Sequence, residues 1–350
     1  MLSKRISSII LPSLVLFAVG CGDGAEQTAE TASADADWVA LSESPVPTAD
    51  AVPRTELKLN LRAGDRFPLR KVVEQELAQS EAGQLSSVSR SRLEMLMAIT
   101  VDERQGSETR LSVRYDRIRF EQEVGGRKVV YDSANPPQSL PGELAAYHGM
   151  IGNGFSFWLD AKNRIQRVER FSDFLDSCLR HVPAEQRSRV LLGVEVSSGE
   201  DGVADFIDDT IGLLPFDAPK AVGESWTRTR RMARPVQMEI QNVCTLDEFT
   251  DQFAVIDIRG RVTPILSSGV QTVSHESVTL RVNNGFTQGR CVVFRDTGLP
   301  RESRIEHEVE MTVVMPGGAS YDQHKRVVST VQAYPAMRAA GVAPASPARR

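Results

Sequence analysis

Gly64-Asp65-Arg66-Phe67 and Gly223-Glu224-Ser225-Trp226 have the same form: a glycine and an acid make a turn, an aromatic follows two residues later, and a long β-patterned region comes next. A second pair of matching joints supports the duplication. Gly154 to Leu159 and Ile165 to Val168 read as strands joined at Asp160-Ala161-Lys162-Asn163. Cys291 to Phe294 and the strand from Arg304 are joined by Asp296-Thr297-Gly298-Leu299-Pro300. In each joint an Asp starts a tight connection, where its carboxylate can bond the backbone. The chain therefore reads as two tandem β-rich halves, 55–170 and 215–335.

Period-2 alternation carries the strand assignments. Leu57, Leu59 and Leu61 alternate with polar residues, and so do Leu93, Met95, Met97, Ile99 and Val101. Leu111, Val113 and Tyr115 lie on one parity and Ile118 and Phe120 on the other, which predicts a bulge near Asp116. Gly125-Gly126 predicts a hairpin turn. In the second half, strands are expected at Trp226–Met232, Val236–Val243, Phe253–Val262, Val273–Val282, Phe286–Phe294, Ile305–Val314 and His324–Ala333.

Between the halves the period changes. Phe171, Phe174, Leu175, Cys178, Leu179 and Val182 fall on one face of a helix, and Val203, Phe206, Ile207, Ile211 and Leu214 on one face of another. Asp205, Asp208 and Asp209 lie off that second stripe, as on a solvated face. The fold class expected is α+β: two tandem, strongly curved antiparallel sheets, half-barrel-like, with amphipathic helices in a 171–214 connector between them.

The ends carry different signals. Residues 1–20 have a basic start (Lys4, Arg5) and an apolar run from Ile9 to Val19, shorter than the roughly 20 residues of a spanning helix. They read as an export signal. Ala18-Val19-Gly20-Cys21 resembles a bacterial lipobox, with Ala where Leu is usual, which implies lipidation of Cys21. Residues 21–54 are acidic, without Lys or Arg between Gly22 and Pro53, and read as a disordered tether reaching about 30 Å. Residues 336–350 are an Ala/Pro/Arg tail.

With 41% hydrophobic and 25% charged residues, the remaining chain of about 280 residues can bury one large core or two modest ones. The net charge is −5 with the signal included. An acidic exported chain is a poor nucleic-acid binder. Lipidation of Cys21 would leave three cysteines, an odd number. Cys178 faces the apolar side of its helix, while Cys244 and Cys291 fall on strands and could pair in an oxidising compartment.

Catalytic and metal motifs do not form. His275-Glu276 and His307-Glu308 begin a zinc-protease pattern that Thr279 and Met311 break. His148 has no Cys, His or acid at metal spacing and reads as a packed or hydrogen-bonded side chain. Arg228, Arg230 and Arg234 share strand parity with Trp226, as an anion-binding stripe or as an exposed strand face. No catalytic residue, metal or cofactor is expected. A hydrolase with dispersed carboxylates stays open, because such pairs have no fixed sequence spacing.

The Leu-x-Leu-x-Leu segment before Gly64-Asp65-Arg66-Phe67, the strand and turn at Phe155 to Arg167, and the Pro219-to-Trp226 opening together resemble a family of exported bacterial lipoproteins of unknown function. The likeness runs from about Leu57 to Tyr334 and implies an architecture, not an activity. Long strands curling round a helix are similar, more remotely, to the half-barrels of the LolA/LolB carriers, whose concave face holds acyl chains.

The leading expectation is a non-enzymatic envelope protein, anchored to a bacterial membrane through lipid on Cys21 and facing the periplasm or exterior. It would bind an apolar ligand, lipid or lipoprotein, in a concavity lined by Phe155, Phe157, Trp158, Trp226, Phe253 and Phe294. The alternative is a structural or scaffolding lipoprotein that binds another envelope protein.

Overall fold

Alternating apolar and polar residues, sustained well beyond an ordinary strand, give this chain long strands. In the computed structural model they are Arg54–Thr55 (β1), Arg66–Glu81 (β2), Gln84–Gln105 (β3), Glu108–Val124 (β4), Arg127–Asp132 (β5), Gly154–Leu159 (β6), Ile165–Glu169 (β7), Lys220–Ala221 (β8), Ser225–Met232 (β9), Met238–Phe249 (β10), Phe253–Pro264 (β11), Val270–Val273 (β12), Val278–Phe294 (β13), Pro300–Val314 (β14) and Ser320–Ala333 (β15). Helices accompany them at Gly142–Met150 (α1) and Phe171–Leu179 (α2), with a further helical stretch at 184–187 and a 3-10 turn at Ile211–Leu213. The structure describes residues 52–335 apart from 82, 188–189, 191–206, 208, 217, 233–237, 266–269, 274–277 and 316–317. The expected export signal, Cys21, nearly all of the tether, the tail and part of the helical connector lie outside these residues.

The two expected sheets are one. β2 pairs with β15 over twelve residues, from Leu69 opposite Ala333 to Ser80 opposite Asp322, and this joins both halves into a single 13-stranded antiparallel sheet. Its order is β7-β6-β4-β3-β2-β15-β14-β13-β11-β10-β9, with β5 on β4 and β12 on β13. The two halves appear in the same order across the sheet, with β15 inserted between them. The expectation of tandem sheets separated by amphipathic helices is therefore corrected. The pairing that fuses them joins strands far apart in the chain, which local periodicity does not encode.

The helices do not lie between halves. α2 packs on α1 and on β6 at one end of the sheet. A Cβ at Gly149 would lie 2.6 Å from the Ser177 carbonyl and 2.8 Å from Cys178 Cα, so the two helices can cross this closely only with glycine there. Phe174 stacks on Tyr115 (5.6 Å between centroids) and tilts against Phe155 (5.3 Å). Tyr131 and His148 share a hydrogen bond of 2.9 Å, so His148 is a packed, hydrogen-bonded side chain.

The Leu57–Leu61 alternation is real in burial, yet the segment stays outside the sheet as a lead-in. Asn60 donates from its backbone N–H to the Thr297 carbonyl (2.9 Å) and from Nδ2 to the Asp296 carbonyl (3.0 Å). Gly298, at φ +74°, passes so near that a Cβ would sit 2.4 Å from the Lys58 carbonyl. The second half's lead-in repeats the device on the first half's joint, where Asn163 Nδ2 donates to the Ile211 carbonyl (3.1 Å). Each half is thus latched by the other's tight connection. The carboxylate-to-backbone bond expected in these joints forms at Asp160, which accepts from Lys162 and Arg164 N–H (2.8 and 2.9 Å). In the second joint Leu299 N–H goes to Thr297 Oγ1 instead (3.3 Å).

Leu59 packs against both the cluster beneath the helices and the cluster of the second half, so the cores are joined. A fused sheet should unfold as one unit. Single-tryptophan variants that keep only Trp158 (first half) or only Trp226 (second half) should give coincident urea transitions by fluorescence; separated midpoints would show that the halves melt independently.

Candidate functional site

The inner face of the sheet can be followed strand by strand from its register. Arg228, Asn242, Gly260, Thr287, His307, Val327, Gln75, Ser91 and Gln122 are successive opposite partners across β9, β10, β11, β13, β14, β15, β2, β3 and β4. All share parity with inward core residues such as Trp226, Cys244, Ile258, Ile305, Val331, Leu69, Leu93 and Phe120. Val327 is the one apolar side chain in this row. A polar row therefore crosses the face, and Lys71, Arg230, Ser303 and Ser329 are further polar residues of the same parity.

The row divides two apolar regions. On one side lie Trp226, Cys244, Leu246, Ala254, Ile256, Ile258, Cys291, Val293 and Ile305, covered by Leu57, Leu213 and Leu214 of the lead-ins. On the other lie Met238, Ile240, Val262, Val282 and Met311, with Leu280 and Val309 packed on them. Every member of this second cluster comes from β10, β11, β13 or β14. Its five members are only 2–4% exposed, so this part of the face is buried in the folded chain, as the other two cores are.

At the row, Thr287 Oγ1 and His307 Nδ1 are 3.0 Å apart, and His307 Nε2 is 3.4 Å from Asp209 Oδ1. Ser303 Oγ donates to the Asp209 carbonyl (2.6 Å). Burial pushes the Asp209 carboxyl upward, but His307, Arg230 and Lys71 together outweigh it and hold the group below its ordinary 3.8. The expectation of a solvated Asp209 is corrected: it is 4% exposed and is the acidic centre of the inner face. Asp205 and Asp208 lie outside the described residues. Hydroxyl, imidazole and carboxylate in series are the residue types of a nucleophile, base and orienting group. Here Thr287 is 2% exposed, and the chain of contacts satisfies polar groups inside a sheet.

The six aromatics expected to line one concavity do not share a surface. Phe155 and Phe157 lie in the core with α2, and Trp226 donates from Nε1 to the Leu213 carbonyl (2.7 Å). Trp158 faces the other way, donating to Glu169 (2.8 Å) beneath the Arg167 guanidinium (4.3 Å to the ring centroid). Phe253 and Phe294 are opposite partners on the outer parity, with Arg301 over Phe253. Arg228 and Arg230 belong to the inner face and are half-buried. Arg228 stacks 4.8 Å over Phe216 and donates to the Lys162 carbonyl (3.3 Å), which brings the β9 edge to the β6–β7 joint. Arg234 lies outside the described residues.

The Cys244–Cys291 disulfide does not form; both are buried free thiols. Both flank β11, opposite Ile258 and Ile256, so two strand spacings of about 9.6 Å separate them. A disulfide needs Cα atoms within about 4.4–6.8 Å.

The outer face carries cross-strand ion pairs, including Arg70–Glu94 (2.8 Å), Arg90–Glu76 (2.7 Å), Arg326–Glu306 (2.7 Å) and Arg92–Glu74. A cleft of about 310 Å³ opens among Glu74, Glu76, Arg90, Arg92, Glu121 and Arg326.

Two outcomes follow from the buried groups. An acid whose folded pKa lies below its unfolded value stabilises the fold above the unfolded pKa and loses that contribution as pH falls through the folded one. Urea melts should therefore show wild type losing stability below about pH 4 more steeply than Asp209→Asn, whose acid limb should be flatter. Parallel limbs would place Asp209 outside the acid transition. Burial pushes the Cys178, Cys244 and Cys291 thiols up to about 12, so none should react with an aromatic disulfide reagent at pH 8 until the chain is unfolded. Rapid labelling of the native protein would contradict their burial.

Among curated proteins none matches this chain. Among solved structures it is similar to lipovitellin, studied there for its lipid–protein interactions (8% identity, 82% of this chain, 27% of that one, TM-score 0.46). It is also similar to the COG4313 outer membrane channel from Pseudomonas putida F1 (7% identity, 83% and 100% covered, TM-score 0.22) and to OccK5 (OpdH) of Pseudomonas aeruginosa (8%, 78% and 99%, TM-score 0.20). The chain thus spans about a quarter of lipovitellin's length, and the scores are too low to equate the folds. Residues 106–300, more than half of the chain and running from the β3–β4 turn to the first residue of β14, match a family of unknown function, and the chain belongs to that family, DUF6263.

Proposed function

We propose that this protein is a non-enzymatic component of a bacterial cell envelope, anchored through lipid on Cys21, that holds an apolar ligand against the inner face of β10, β11, β13 and β14. The observation that carries this reading is the Met238, Ile240, Val262, Val282 and Met311 cluster, a buried apolar patch on the inner face that the polar row separates from the other two cores. A sheet face of this kind is stable against a second apolar layer. The cluster is already buried within the chain, so a lipid or a lipoprotein acyl chain would take its place against this layer by displacing that cover, and Ala18-Val19-Gly20-Cys21 would hold the protein where such ligands occur. The site differs from the concavity expected from sequence: its walls are aliphatic, and the six aromatics are not its lining. The alternative, an envelope scaffold that binds another protein, draws on the charged outer cleft beside Arg90 and Arg326.

The mature chain carrying Cys21→Ser, purified without detergent, should show a stoichiometric apolar adduct in native mass spectrometry that organic extraction removes. Val262→Thr and Met311→Gln keep side-chain volume while burying a polar group against the ligand, and should each weaken retention about tenfold. Phe253→Ala and Phe294→Ala, on the outer face, should retain it. A folded chain that carries no adduct and takes up no added fatty alcohol would overturn the carrier reading and favour the scaffold.

A further inference from the structure

The edges of the sheet differ in what they leave open to solvent. β9 exposes Ser225, Thr227, Thr229 and Arg231, and β7 exposes Gln166 and Arg167, so both of these edges are polar. β5 is different. Among the described residues it pairs with β4 alone, and it exposes Val130 on the outer face (55%) and Val129 on the inner face (41%). Ser133 N–H donates to the Ile118 carbonyl (2.9 Å), which fixes the phase of the β4–β5 ladder. Arg127, Val129 and Tyr131 therefore turn their backbone groups toward β4, and Lys128, Val130 and Asp132 turn theirs outward. An open edge with apolar side chains on both faces is a template for another strand.

We infer that the strand it takes is β5 of a second copy of this chain, antiparallel, with a two-fold axis at Val130. Charge selects the copy and the register. With the axis at Val130, Lys128 stands opposite the partner's Asp132 and Asp132 opposite the partner's Lys128, so opposite charges meet twice. An axis at Lys128 or at Asp132 would set like charges face to face, and one at Val129 or Tyr131 would set neither residue against a charge. A lysine on an edge strand ordinarily guards against pairing. Here it admits one register and opposes the rest. The outward N–H groups of Val130 and Asp132 then reach the carbonyls of the partner's Val130 and the partner's Lys128. The Asp132 carbonyl already accepts from Asn135 N–H (3.0 Å) and adds no bond to the pair. Lys128 keeps Glu121 (3.0 Å) within its own subunit, as Asp132 keeps Arg117 (2.7 Å), so the new pairs extend an existing ladder of charges. One short strand pair makes a small interface, with a dissociation constant of about micromolar order. The inference does not rest on the apolar-ligand reading, since β5 and the β10–β11 region lie at opposite ends of the sheet.

Sedimentation velocity of the mature Cys21→Ser chain between about 1 and 100 μM should show a monomer–dimer equilibrium. Val130→Pro removes an outward N–H and nothing from the β4 ladder, so it should keep the wild-type circular dichroism and sediment as a monomer. Lys128→Glu, which sets an acid opposite the partner's Asp132, should weaken the dimer about tenfold. Crosslinking reads the register. Val130→Cys would bring two Cα atoms to about 5.5 Å at the axis, within disulfide reach. The three remaining cysteines are buried. Mild oxidation should therefore link Val130→Cys into a covalent dimer, while Leu85→Cys, 67% exposed at the β2–β3 hairpin, should stay unlinked. A monomer throughout the concentration range would overturn the inference. So would a dimer that folded Val130→Pro leaves intact, or one that Val130→Cys does not link, because either puts the interface elsewhere. If Val130→Pro does not fold, the crosslink alone decides.

Discussion

The pairing of β2 with β15 is the constraint on which the other features depend. It places the first long strand and the last at the centre of the sheet and pushes β7 and β9 to the edges. With the outer halves held to one central pair, the lead-in of each half reaches the tight joint of the other, through Asn60 to Asp296 and Thr297 and through Asn163 to Ile211. These latches are short-range and specific in geometry, yet they exist only because a long-range pairing sets the frame. The order of formation is thermodynamically awkward, since closing so long a loop comes before most of the contacts that reward it.

A consequence of the central pair is that the inner face is continuous, and its chemistry is graded along the strands. The end with α1, α2 and the lead-ins is covered by them. Next comes the polar row, where Asp209 is balanced by His307, Arg230 and Lys71. Beyond it lies the aliphatic cluster of the second half. A buried carboxylate left without those cations would strongly destabilise the fold, whereas paired it contributes little net stability. The row is therefore better understood as a divider between two apolar compartments than as a source of stability.

Local features were legible in the sequence because their causes are local. Gly125 and Gly126 take the positive φ values of a hairpin turn. The parity switch after Tyr115 is a bulge at Asp116, where Met97 faces Tyr115 and Leu96 faces Arg117. The Phe174 and Cys178 stripe buries as its spacing implied. The β2–β15 register was not legible, nor was Asp209's partner, since His307 is brought to it by the sheet. Two strands expected at Val273–Val282 and Phe286–Phe294 are largely one, β13, with a register shift between Val282 and Asn284 in place of a turn. One misreading was avoidable. Phe157 and Trp158 are consecutive in a strand, and consecutive strand residues face opposite sides, so they could not both line a concavity.

The glycines of the second half connect the curl of the sheet to its site. A Cβ at Gly285 would lie 2.6 Å from the Glu308 carbonyl, and one at Gly289 would lie 2.5 Å from the Arg304 carbonyl. With Gly260 they occupy neighbouring inner-face positions on β11 and β13, beside the polar row. Side chains there would hold adjacent strands apart on the concave side and flatten the sheet. Their absence lets the strands bend toward one another, consistent with the role of glycine where backbones approach closely. The same omission leaves Asn242 room to lie across β11, since a Cβ on Gly260 would lie 2.2 Å from its Oδ1. Curvature and the placement of the Asn242 amide thus share a cause, and a sheet flattened by substitution at Gly260 would lose both together.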